Sequence, residues 1–168
     1  MSNFAFLQPE WPLFFEAATK AEGLANADAR ASCFYARRTL ELAVAWMYAH
    51  DHSLHRPYKD NLSAFIHEPS FKAAVGDALF TKARLIKDLG NLAVHSTRKV
   101  HDTDAVNALR ELFHFCYWLA RTYVSHPGRS YWRLWNRSGR EAYHSFMACI
   151  GVLLFNADCG SWWLYKVT

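Results

Sequence analysis

The sequence predicts an all-α domain, a helical bundle of four to six helices. Three observations carry that reading. Apolar residues recur at spacings of three and four over most of the first 125 positions. Nothing before residue 125 alternates with period two, so no sheet is expected there. Breakers are sparse, with 7 Gly and 5 Pro in 168 residues, which favours long helices.

The elements follow in order. Pro9, Trp11 and Pro12 open the first helix, because a proline in the first turn loses no helical hydrogen bond. Leu13, Phe14, Ala17, Ala18, Ala21 and Leu24 give its apolar face. Asn26 and Asp28 end it and can cap the next helix. That second helix runs from about Asp28 to about His50, with an apolar stripe of Cys33, Phe34, Ala36, Leu40, Ala43, Val44 and Met47. Arg37 and Glu41 are four apart beside the stripe and can pair, for a few tenths of a kcal/mol.

Asp51 to Lys59 reads as a loop. Asn61 to Ile66 is a short helix stopped by Pro69, and Phe71 to Leu79 a further short one. Thr81 to His95 is long again, burying Leu85, Ile86, Leu89, Leu92 and Ala93. Asp102 or Thr103 caps the last strong helix, which carries Leu109, Leu112, Phe113, Cys116 and Leu119. After Val124 the pattern changes at His126-Pro127-Gly128. We therefore divide the chain into a bundle, 1–125, and an atypical aromatic tail, 126–168. The tail reads as a helix over Gly139 to Leu154 packed on the bundle, as a pair of strands, or as a poorly ordered end.

Composition excludes several classes. Hydrophobic residues at 52% and charged residues at 20% permit a core and argue against disorder. The longest apolar stretch, Phe146 to Phe155, is about half of what a bilayer span needs. No membrane association is expected. Met1-Ser2-Asn3-Phe4 lacks the basic start of a secretory leader, which points to a reducing cytoplasm. Cys33, Cys116, Cys149 and Cys159 match no zinc spacing, and Cys33 and Cys116 lie in apolar patterns. No metal and no cofactor is expected. A net charge of +4 permits attraction to phosphate.

Chemistry concentrates in Lys87-Asp88-Leu89-Gly90-Asn91-Leu92-Ala93-Val94-His95-Ser96. Asn91 and His95 share a helix face. The amide can bond the imidazole and fix its tautomer, leaving His95 to accept a proton near neutral pH. The alternative is a buried His95 that bonds a carbonyl and holds the helix end. Arg30, Arg37, Arg38, Arg84, Lys87 and Arg98 form a phosphate-binding groove if they cluster, and a solvated surface if they do not. Arg121 with His126 and Arg137 with His144 have similar spacing, but matches of that looseness arise by chance. The run from Tyr131 to Arg140 can stack bases or pack on a partner.

Four strings carry a resemblance. They are Phe6-Leu7-Gln8-Pro9-Glu10-Trp11-Pro12, Cys33 to Trp46, Lys87 to Ser96, and Glu111-Leu112-Phe113-His114. Together they resemble the helical domain of unknown function at the N-terminus of type I restriction enzyme R subunits and related DEAD/DEAH helicases. That domain is similar in turn to the HEPN helical bundles. The resemblance covers about Asn3 to Val124. It implies a bundle, often a homodimer, inside nucleic-acid defence machinery. R-subunit or helicase partners and DNA or RNA ligands follow from it.

Active HEPN ribonucleases pair an Arg with a His that follows after four to six intervening residues. Here Asn91 and His95 match the polar and His positions, but the Arg position is Gly90. The nearest upstream bases are Lys87 and Arg84, with different geometry. The resemblance therefore implies a non-catalytic interaction or nucleic-acid-sensing module. One alternative is a metal-independent endoribonuclease using His95 and Asn91 with Arg84 or Lys87. Another is a truncated gene fragment, since no nuclease or motor motif appears.

Overall fold

The computed structural model describes residues 2–123 and the backbone of 154–156 and 161–163. Its architecture is an all-helical bundle of five helices. These are α1 (Pro12–Leu24), α2 (Ala29–His50), α3 (Leu62–His67), α4 (Pro69–His95) and α5 (Asp102–Tyr123). A 3-10 turn at Ala5–Leu7 precedes them. Two short strands, β1 (Leu154–Asn156) and β2 (Ser161–Trp163), pair antiparallel. The helix expected over Gly139 to Leu154 otherwise lies outside the described residues, as do the run Tyr131 to Arg140 and both His126 and His144.

Local chemistry sets most boundaries. Pro12 occupies the first turn of α1. Asp28 accepts from the Ala31 N–H at 3.0 Å and starts α2; Asn61 accepts from Ala64 N–H at 2.9 Å and starts α3. Pro69 does not merely stop α3. It sits in the first turn of α4, where it suits the helix start. The two helices expected on either side of Thr81 are one element, and its break lies earlier. Gly76 has φ 78 and ψ 165, a conformation open in practice to glycine alone. The cap of α5 also differs from expectation. Asp104 reaches back to the His101 N–H at 3.0 Å, as an acid at the third helical position does.

Helix α2 is the central element, packed against α1, α3, α4 and α5. Its buried stripe is Cys33, Ala36, Leu40, Ala43, Val44 and Met47. Phe34, expected on that stripe, is 43% exposed, because it points one helical step outside it. Leu13 and Leu85 are exposed for the same reason, while their neighbours Phe14 and Ile86 fill the core. Phe4 of the N-terminal segment meets Phe113 of α5 edge-on at 5.7 Å. Asp51, just after α2, accepts from the Tyr123 hydroxyl at 2.5 Å, tying the ends of α2 and α5. The buried hydroxyls are satisfied: the Ser32 hydroxyl donates to Ala21 O at 2.7 Å and Thr39 to Tyr35 O at 2.9 Å. Among the described residues no helix is long and apolar enough to cross a membrane.

Candidate functional site

The α2–α4 packing builds the site. Arg84, Lys87, Asn91 and His95 recur on α4 at spacings of three and four, so they share one face. Phe34, Arg37, Arg38 and Glu41 do the same on α2. The two faces meet where the stem of Arg37 crosses Gly90. A Cβ on residue 90 would lie 2.3 Å from Arg37 Cβ and 2.5 Å from its Cδ. Only glycine permits that approach. The helices run antiparallel, since Arg37 meets Gly90 while Arg30, earlier in α2, meets the end of α4.

The candidate cations stand in different situations. Arg30 Nη1 donates to the carbonyls of Ala93 (2.6 Å), Ser96 (2.9 Å) and Leu92 (3.5 Å), and Nη2 donates to Arg98 O at 2.6 Å. It is a C-terminal cap on α4, supplying positive charge and donors to the carbonyls at the helix end, of which Leu92 O also accepts from the Ser96 N–H. Arg37 Nη2 pairs with Glu41 Oε1 at 2.8 Å, the pair expected from spacing. Arg38 Nη1 lies 3.9 Å from the other Glu41 oxygen. Lys87 pairs with Asp88 at 2.9 Å and is largely covered. The Arg84 guanidinium lies 5.8 Å from the Phe80 ring centroid and is exposed. Arg98 is exposed in the turn after α4. Arg30 belongs to the fold, while Arg37 and Arg38 lie on one side of α2 and Arg84 and Lys87 on one side of α4, next to the crossing at Gly90.

His95 ends α4 and is exposed. That removes the reading of a buried histidine holding the helix end; the guanidinium of Arg30 does that. No side-chain hydrogen bond joins Asn91 to His95 among the described residues. The imidazole can reach solvent or a ligand, and its tautomer is not fixed by Asn91. Exposed Val94 and Phe34 add apolar surface to the same side of the bundle.

The sequence reading missed a second polar cluster. Glu111 of α5 is 8% exposed and pairs with Lys82 of α4. Arg110 Nε donates to its Oε1 at 2.9 Å. His114 Nδ1 lies 3.3 Å from Lys82 Nζ and 3.4 Å from Glu111 Oε2. It can accept from the lysine or donate to the carboxylate, not both. Burial pushes the Glu111 carboxyl up, but bonds from His114, Lys82 and Arg110 together outweigh it and hold it at about 2. The available signal was a glutamate within the apolar spacing of Ala108, Leu112 and Phe115. Cys33 and Cys116 are buried and unpaired by disulfide, and burial raises both thiols, Cys33 to about 11. Neither has the character of a nucleophile. Among the described residues, no group of three or more His, Cys, Asp or Glu is arranged to hold a metal ion.

Fold and site define a helical-bundle protein with a basic, partly apolar face. The chain belongs to the family described as Domain of unknown function (DUF4145), which matches residues 19–136. No curated protein and no solved structure matches it significantly.

Proposed function

We propose that this chain is a non-catalytic interaction and nucleic-acid-sensing module of a restriction or helicase defence system. One observation carries the reading. The α2–α4 crossing has Arg37 and Arg38 on the α2 side and Arg84 and Lys87 on the α4 side, Phe34 and Val94 on these helices are exposed, and the His95 imidazole has no bonded partner among the described residues. Such a surface suits binding: cations for phosphate, apolar groups for a base or a partner helix. No side chain among the described residues positions the imidazole as a general base would be positioned, which favours binding over cleavage. A second copy of this chain, an R subunit or a helicase is the protein partner this reading implies.

The test is binding without turnover. Purified protein should bind single-stranded RNA or DNA with salt-dependent affinity and leave it intact in EDTA. It should also be retained by a tagged R subunit or helicase from the same genome. Cleavage in EDTA that disappears in His95→Ala would sink this reading and establish the endoribonuclease alternative. That alternative keeps one observation in its favour, the exposed His95.

A further inference from the structure

We infer that Arg37 is the phosphate-contacting residue of the α2–α4 face, and that Gly90 is the notch that seats it. The inference deepens the nucleic-acid reading above and rests on it. Three Arg37 carbons, Cβ, Cγ and Cδ, lie 2.3, 2.9 and 2.5 Å from the place of a Cβ on residue 90. A side chain at 90 and the side chain of Arg37 are therefore alternatives for one volume. The Arg37 stem fills the space that a side chain at 90 would take, and its head group lies beside Glu41 on α2.

The head group is prepared for an anion. Its stem is clamped between helices, so little rotamer freedom remains to be lost on binding. Glu41 holds it through Nη2 only, and Glu41 also faces Arg38, so one carboxylate stands against two guanidiniums. Arg37 Nε is buried with no hydrogen-bond partner, an uncompensated donor in a side chain still 22% exposed. That leaves Nη1, which no bond occupies among the described residues and which is not buried, as the nitrogen a phosphate can reach. Lys87 and Arg84 continue the positive stripe one and two turns along α4. Exposed Phe34, one turn back on α2, offers a ring on which a base can stack. The ligand that uses both features is a phosphodiester within a single strand rather than free phosphate.

The test uses a fluorescent single-stranded RNA of about a dozen nucleotides, matching the site sizes of single-strand binders, and follows anisotropy against salt. Arg37→Gln keeps the stem and removes the charge. It should weaken binding about tenfold, the worth of one charge-assisted hydrogen bond, and lower the log–log salt slope by about one. Gly90→Arg alone should disrupt the fold. The reciprocal swap, Arg37→Gly with Gly90→Arg, should melt cooperatively and regain affinity to within about threefold, because one arginine stem again fills the shared volume and carries its head group to the same face. A folded Arg37→Gln with unchanged affinity and slope overturns the inference and leaves the nucleic-acid reading standing. So does a folded swap without recovery. Wild-type protein that binds no RNA overturns both. Competition by inorganic phosphate as strong as by unlabelled RNA overturns the single-strand source.

Discussion

Arg30 Nη1 donates to the carbonyl of Ala93 across 2.6 Å, joining the first turn of α2 to the last turn of α4. Through the same guanidinium α4 also gains partners for Leu92 O and Ser96 O, and the following turn for Arg98 O. One side chain thus satisfies carbonyls that a helix end leaves open, and does so with a charge opposite to the helix dipole. His95 and Arg98 are carried on the backbone that this cap holds.

Arg30→Met should destabilise the bundle by about 2–3 kcal/mol. Each hydrogen bond to a charged group is worth about 1.5–3 kcal/mol net, and partial exposure of the site lowers the sum. Urea denaturation followed by circular dichroism measures it. Arg30→Lys should recover part of the loss, since an ammonium reaches fewer carbonyls than a planar fork. A change under about 0.5 kcal/mol in Arg30→Met, the range of an ordinary surface substitution, would refute the cap.

Glu111 makes stability depend on pH in the acid range. Its carboxyl titrates near 4.5 when unconstrained and near 2 in the fold. The native value is depressed, so its contribution is complete above about pH 4.5 and is lost as pH falls toward 2. At 1.36 kcal/mol per pKa unit this amounts to about 3 kcal/mol. Thermal melts from pH 6 to 2 should show this loss in wild type and a flatter acid limb in Glu111→Gln. At pH 7 Glu111→Gln should cost about 2 kcal/mol, because Lys82 loses its carboxylate in a partly buried place. Parallel acid limbs in the two proteins would exclude the role.

Much of this architecture was legible in the sequence because it is local. Asp28 and Pro12 act within one turn of their own position, and the period of Cys33, Ala36, Leu40, Val44 and Met47 selects the buried side of α2 directly. What could not be read is tertiary. The Arg30 cap spans more than sixty residues of chain, and no spacing rule connects such positions. Periodicity also blurs at the edge of a stripe, which is why Leu85 was expected inside and Ile86 proved the deeper residue. Gly90 held a usable signal. A glycine in a helix interior costs about 1 kcal/mol, which suggests a close approach there. The approaching residue, Arg37, is visible only in the folded chain.

Gly76 divides α4 into two helical stretches, and the division should be costly to remove. At φ 78 and ψ 165 any Cβ is strained, although a Cβ there would meet nothing within 4 Å. Gly76→Ala should therefore lose about 1–3 kcal/mol from backbone strain alone. Lys72 and Asp77 pair across the break at 2.9 Å, on an exposed surface where such a bond adds little. Chemical denaturation of Gly76→Ala and Lys72→Ala separates the two: the first should shift the midpoint clearly and the second hardly at all. Equal shifts would mean that the break is held by the ion pair and not by the glycine conformation.

His95→Ala distinguishes a site from a scaffold. The imidazole is exposed and makes no hydrogen bond to another described residue, so its removal should change unfolding free energy by less than about 0.5 kcal/mol. A binding role would appear as weaker oligonucleotide affinity at unchanged stability, and a catalytic one as loss of EDTA-resistant cleavage. Asn91→Ala sharpens the comparison. Its amide does not bond His95, so in a binding site the two substitutions should act additively. Coupling above about 0.5 kcal/mol would mean that the amide and imidazole engage each other once ligand arrives, as a preorganised acid–base pair does. Stability loss of 1–3 kcal/mol in His95→Ala, the cost of orphaning a buried partner, would instead place the ring inside the fold and contradict its exposure.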